Sequence, residues 1–70
     1  MISANDIGDR IRTERRRQGL RQDELAAAAG VGTRFLVELE AGKPTAQLAK
    51  TLQVLSALGI RVEVYPTGDE

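Results

Sequence analysis

Four of the seven glycines, Gly19, Gly30, Gly42 and Gly59, divide most of the chain into segments of ten to eighteen residues. Within each segment the apolar residues recur at helical rather than alternating spacing. This punctuation predicts four short helices and excludes a fold built mainly on strands. Ser3, three residues before Asp6, predicts a capping box that opens the first helix, which runs to about Gln18 with Ile7 and Ile11 inward. The second spans about Gln22 to Ala29 and turns Leu25, Ala26 and Ala29 inward. The third spans about Thr33 to Ala41, with Leu36 and Leu39 inward and Phe35 at the edge of that arc, where it packs on the core. Lys43-Pro44 cannot continue a helix, because proline pushes the residue before it out of the helical region. Thr45 is the expected cap of a fourth helix reaching about Leu58. From Ile60 to Tyr65 the period becomes two, with Ile60, Val62 and Val64 on one face, and predicts a single strand. Residues 66–70 are expected to be a frayed polar tail.

The chain has 70 residues, and nine of its 29 apolar side chains are Ala. A domain this small buries only roughly 60% of the surface its unfolded form exposes, so a staple, a metal or a partner is expected. Cys and His are both absent. Disulfides and the usual zinc and haem ligands are therefore excluded, as is any Ser–His or Cys–His nucleophile pair. Glu38 and Glu40 stand two apart and point to different sides of a helix, and GVGT lacks the spacing of a phosphate-cradling loop. The expectation is a protein that is not an enzyme and binds no cofactor, metal or small molecule. No apolar run is long enough to span a membrane and the N-terminus carries no secretion signal, so a cytoplasmic location is expected.

The remaining partner is a second copy. On helix four, Leu48, Thr51, Leu52, Val54, Leu55 and Leu58 cover an arc about 160° wide, where a surface helix shows about 100°. The strand also has no mate within the chain, and a lone strand is unstable in water. An antiparallel pair across a twofold axis, centred on Val62, sets Ile60 against Val64 and Arg61 against Glu63 of the mate. The dimer contact is thus expected at Ile60, Arg61, Val62, Glu63, Val64, Val54 and Leu58. The fold class is all-α: a four-helix domain over 1–59, a dimerisation strand at 60–65, and the tail at 66–70.

The net charge is zero, but residues 1–21 carry six Arg against three acids while the rest carries four cations against seven acids. A basic block on an acidic molecule suits either a solvated helix face with pairs such as Arg10–Glu14 or a contact with phosphates. The stretch QDELAAAAGVGTRFLVELEAGK supplies the deciding context. Two short helices meet at a turn that needs a residue tolerant of positive φ, Gly30, and they cross closely only if the first offers a small side chain, Ala26. With Leu36 and Leu39 inward, the opposite arc of the third helix shows Arg34, Val37, Glu38 and Ala41, with Thr33 at its start. Arg34 can donate two bonds to a guanine, Glu38 can accept from a cytosine amine, and Thr33 can serve either role. Gly32 allows close backbone approach to a phosphate. Arg34 and Glu38 also stand at i,i+4, so they can pair and mask base reading until DNA separates them. An acid on that face repels phosphates, which gives Glu38 the character of a specificity gate.

The pattern Q-x-E-L-A, G-V, then L-x-E-L-E-x-G-K resembles the phage-repressor-like (Cro/C1, XRE) helix-turn-helix family over about residues 5–58. The ending, GKPT followed by one long helix and one strand, resembles the HipB-type antitoxins within it. The resemblance implies a lambda-repressor-like fold whose third helix enters the major groove, and a homodimer on a palindromic operator in double-stranded DNA. It implies that Gln22 binds a phosphate, joined by Arg21 and Lys43, and that Arg15 bridges Glu40 as a structural ion pair. Arg12, Arg16 and Arg17 are left as phosphate candidates. Relatives carry Thr or Asn where this chain has Arg21, so the side-chain cap is lost, a deficit of about 1 kcal/mol. The resemblance further implies an antitoxin that represses its own operon and binds a HipA-like kinase toxin. Two alternatives stay open: a protein-interaction module of the same fold without useful DNA binding, and a stand-alone repressor with no toxin.

Overall fold

A computed structural model of the chain describes residues 1–67, in which four helices follow one another: α1 Ala4–Arg17, α2 Gln22–Ala29, α3 Thr33–Glu40 and α4 Leu48–Ala57. The expected capping box opens α1, with Asp6 N–H donating to Ser3 Oγ at 3.2 Å and Ser3 N–H to Asp6 Oδ2 at 3.0 Å. Helix α1 packs on α3, and α2 sits between α3 and α4. Their shared core is Ile11, Leu25, Ala26, Ala29, Leu36, Leu39, Val54, Leu55 and Leu58, with Ile7, Val31 and Phe35 packed at its edge. The 3.6-residue period placed nearly all of these inward.

Two expectations for the C-terminal third are corrected. Helix α4 begins at Leu48, not at a Thr45 cap: Ala46 N–H bonds back to the Lys43 carbonyl at 3.4 Å, closing a turn through Pro44 and Thr45 before the helix opens. Thr51 instead supports the first turn, its hydroxyl donating to the Gln47 carbonyl at 2.8 Å. The wide apolar arc of α4 is divided between two surroundings. Val54 and Leu58, expected at a dimer contact, are 0% and 4% exposed within the single chain and belong to its own core, whereas Leu48 and Leu52 remain exposed. Residues 60–67 form no regular secondary structure in the isolated chain. Ile60 packs against the core, but Val62 and Val64 are in solvent, and Arg61 Nε meets Glu63 of its own chain at 3.1 Å. Of the tail assigned to 66–70, the last three residues lie outside the described residues.

A glycine that the sequence pattern does not single out fixes the approach of α1 to α3. A methyl group on Gly8 would lie 2.5 Å from the Leu39 carbonyl oxygen and 2.8 Å from that of Glu40, both main-chain atoms that cannot swing away. Helix propensity alone would favour Ala there by about 1 kcal/mol. We expect the clash to win: Gly8→Ala should lose about 1–3 kcal/mol, lowering Tm by about 4–8 °C for each kcal/mol. Thermal unfolding followed by circular dichroism checks this, and an unchanged Tm would mean that the two helices are free to slide apart.

Candidate nucleic-acid interface

The turn between α2 and α3 is built as its sequence requires. Gly30 adopts φ 73°, closing α2 in the left-handed conformation, and Val31 N–H reaches back to the Ala26 carbonyl at 3.0 Å. Ala26 is 1% exposed where the helices approach. Gly32 then precedes α3 in extended backbone, with φ −75°. A methyl group there would meet nothing within 4 Å. Neither strain nor internal packing explains a glycine at 32, which leaves a clear path to the first turn of α3 from outside.

Helix α3 has no side-chain cap at its N-terminus, so its first N–H groups and the positive end of its dipole face solvent. Thr33, Arg34 and Val37 are exposed on its outer face, and the Arg34 side chain is 92% exposed. Glu38 lies beside them, half-buried, with Oε2 3.6 Å from Arg34 Nε. Lys43, from the turn after α3, donates to Glu38 Oε1 at 3.0 Å. The hydrogen bond from Lys43 and then its charge, with a smaller share from Arg34, hold the Glu38 carboxyl below the usual carboxylate range. The sequence foresees the Arg34–Glu38 pair but not the lysine.

On the opposite flank of α3, Arg12, Arg16, Arg21 and Gln22 line one groove with Val37 and Ala41. The structure thus gathers four of the residues expected to bind phosphate beside the outward face of α3, while Lys43 stands apart near Glu38. Arg12 pairs with Asp9 at 2.6 Å, Arg17 pairs with Glu14, and Arg21 pairs with Asp23 at 3.1 Å. Among the described residues Arg16 makes no ion pair. Along α1 the pairs, Arg12–Asp9 and Arg17–Glu14, are at i,i+3 rather than the expected Arg10–Glu14. Arg21 is, as expected, a poor cap. Its own N–H donates to Glu24 Oε1 at 2.7 Å, but a guanidinium has no acceptor with which to complete the reciprocal half of the box.

Beneath this groove lies the Arg15–Glu40 pair. Arg15 Nε donates to Glu40 Oε2 at 2.7 Å and Nη2 to Oε1 at 3.0 Å, while Nη1 donates to the Leu20 carbonyl at 2.8 Å. The two side chains are 9% and 3% exposed. Glu40 holds the Arg15 pKa above its ordinary value, chiefly through these hydrogen bonds. Gln22 completes the cluster, its Nε2 donating to Glu40 Oε1 at 3.2 Å. The residue expected at a phosphate is therefore held at the mouth of the groove by the carboxylate that anchors α3 to α1.

The arrangement matches known proteins at several levels. The chain is 58% identical over 64 residues to an uncharacterized HTH-type transcriptional regulator, y4mF, of Sinorhizobium fredii, a match covering 91% of this chain and 84% of that protein. Its fold is shared with HipB as seen in a HipA–HipB–O2–O3 complex, with a TM-score of 0.85, 19% sequence identity, and coverage of 97% of this chain and 96% of that one. HipB in a complex with an O4 20mer superposes equally well, at TM-score 0.85 and 18% identity over 97% and 96% of the two chains. No described helix is long and apolar enough to cross a membrane. The close α2–α3 crossing, the left-handed turn at Gly30 and a sequence match over residues 6–64 place this chain in the family described as helix-turn-helix domain, of the phage-repressor-like (XRE) type.

Proposed function

We propose that the protein is a cytoplasmic, homodimeric transcriptional repressor that reads a palindromic operator through Thr33, Arg34, Val37 and Glu38. The observation that carries this reading is the exposed outer face of α3, flanked by an arginine-lined groove. Arg12, Arg16, Arg21, Gln22 and Lys43 hold the phosphates on either side, and Gly32 lets the backbone approach one of them. Two such units related by a twofold axis present their α3 helices to successive major grooves, about 34 Å apart. The apolar face of 60–65 forms the dimer ribbon. It is supported by the groove that Ile2, Ile7, Leu55, Ile60 and Val62 line in the single chain. The likeness to HipB supports an antitoxin role with a HipA-like kinase toxin as partner. Sequencing the flanking DNA tests that partner: a kinase-like reading frame beside the gene would support it, and none there would leave a stand-alone repressor.

The test is Arg34→Ala on duplexes that the parent protein selects from a randomised pool. The side chain is almost wholly in solvent, so the fold is unaffected. Binding should weaken by about 1–3 kcal/mol, and preference should relax at one base pair of each half-site. Unchanged binding would overturn the assignment of α3 as the reading helix. The ion pairs that occupy Arg12, Arg21 and Arg34 in the free protein favour the second reading, a module that binds protein rather than DNA. It predicts no salt-dependent duplex binding at all.

A further inference from the structure

Lys43 is fastened to Glu38 twice. Its ammonium donates to Oε1 at 3.0 Å, and its main-chain N–H donates to the Glu38 carbonyl at 3.1 Å. The second contact is part of the turn that ends α3, so the lysine is delivered to the carboxylate by the backbone. Arg34 approaches the other oxygen. The outer face of α3 and its following turn therefore offer two cations and one anion, and the anion already holds both cations.

On an arbitrary duplex this arrangement resists binding. Moving Lys43 to a phosphate would strand the Glu38 carboxylate among phosphate charges, so the lysine stays with Glu38 and contributes little. A duplex presenting an exocyclic amine to Glu38 changes the balance. The amine donates to the carboxylate in the major groove, and Lys43 and Arg34 become available to phosphate and base. We propose that Glu38 determines specificity by occupancy, withholding Lys43 and Arg34 from DNA until a cytosine or adenine amine replaces them. The inference rests on the DNA-binding reading above and adds a repulsive element to it, the usual route to discriminating between near-equal targets.

The test compares Glu38→Gln with the parent on a random-sequence 30-base-pair duplex and on a duplex that the parent selects from a randomised pool. Removing the negative charge should tighten random-duplex binding by about tenfold and steepen the slope of log affinity against log salt by about one, the signature of one added phosphate contact. The preference for the selected duplex should fall by a similar factor. In Glu38→Gln/Lys43→Ala the gain on random duplex should vanish, which ties it to the lysine. A merely structural glutamate would change the melting temperature and leave the salt slope alone. If the parent selects a site but Glu38→Gln shows neither tighter random binding nor a steeper slope, the gate is overturned. If the parent binds no duplex, the DNA-binding reading falls and takes the gate with it.

Discussion

Glu40→Ala is expected to lower the stability of the fold by about 3–5 kcal/mol. The substitution removes both carboxylate oxygens from a guanidinium that is nine-tenths buried, leaving Arg15 with the Leu20 carbonyl as its one remaining partner among the contacts described. Breaking a buried pair by deleting one member costs about 3–5 kcal/mol, because the other charge stays behind uncompensated. A domain of this length has roughly 4–10 kcal/mol in total, at about 0.05–0.15 kcal/mol per residue. The loss therefore takes from about a third to all of that margin, and Gln22 loses an acceptor as well. Urea unfolding should show a much lower midpoint with an unchanged m-value. Arg15→Met/Glu40→Leu should be far milder than Glu40→Ala, since removing both charges also removes their desolvation penalty. A Glu40→Ala unfolding free energy within about 0.5 kcal/mol of the parent's would show that the pair does not staple α1 to α3.

This pair also marks where sequence reasoning stops. Arg15 and Glu40 are 25 residues apart, and no periodicity links them; only the family resemblance did. Local order was legible because it depends on local chemistry: Ser3 and Asp6 cap one turn, Ile7 and Ile11 share one face, and Gly30 reverses the chain. The outward arc of α3 was legible for the same reason, since Leu36 and Leu39 fix its opposite side. Contacts that cross between elements were hidden. Lys43 reaches Glu38 around the turn that ends α3, Gly8 is required by two carbonyls on another helix, and Gln18 Nε2 satisfies the Leu58 carbonyl at the end of α4 at 2.8 Å. Helix four misled for a related reason. A wide apolar arc shows that a helix is covered on two sides, but not by what. Here α2 and the rest of the core take Val54 and Leu58, and only Leu48 and Leu52 are left over.

In the proposed dimer, Val62→Asp is expected to separate the two subunits and to weaken binding to the proposed operator by about 10²–10⁴-fold, the advantage that two linked half-site contacts hold over one. In an antiparallel ribbon centred on this position, Val62 lies on the twofold axis and faces its own copy, so one substitution sets two carboxylates directly opposite each other. The isolated protomer tolerates the change, because Val62 is 50% exposed and outside the core. Arg61 and Glu63, which now pair within the chain at 3.1 Å, would exchange partners across the ribbon when two chains meet. The same geometry makes a sharper demand. Val62→Lys should also be monomeric, yet an equimolar mixture of the Asp and Lys variants should form a heterodimer, since opposite charges then meet on the axis. Sedimentation equilibrium reads all three outcomes, against a protomer mass of 7.6 kDa. Should both variants stay dimeric, or should the mixture stay monomeric, Val62 does not face itself and the subunits meet elsewhere, the exposed Leu48 and Leu52 of α4 offering one such apolar surface.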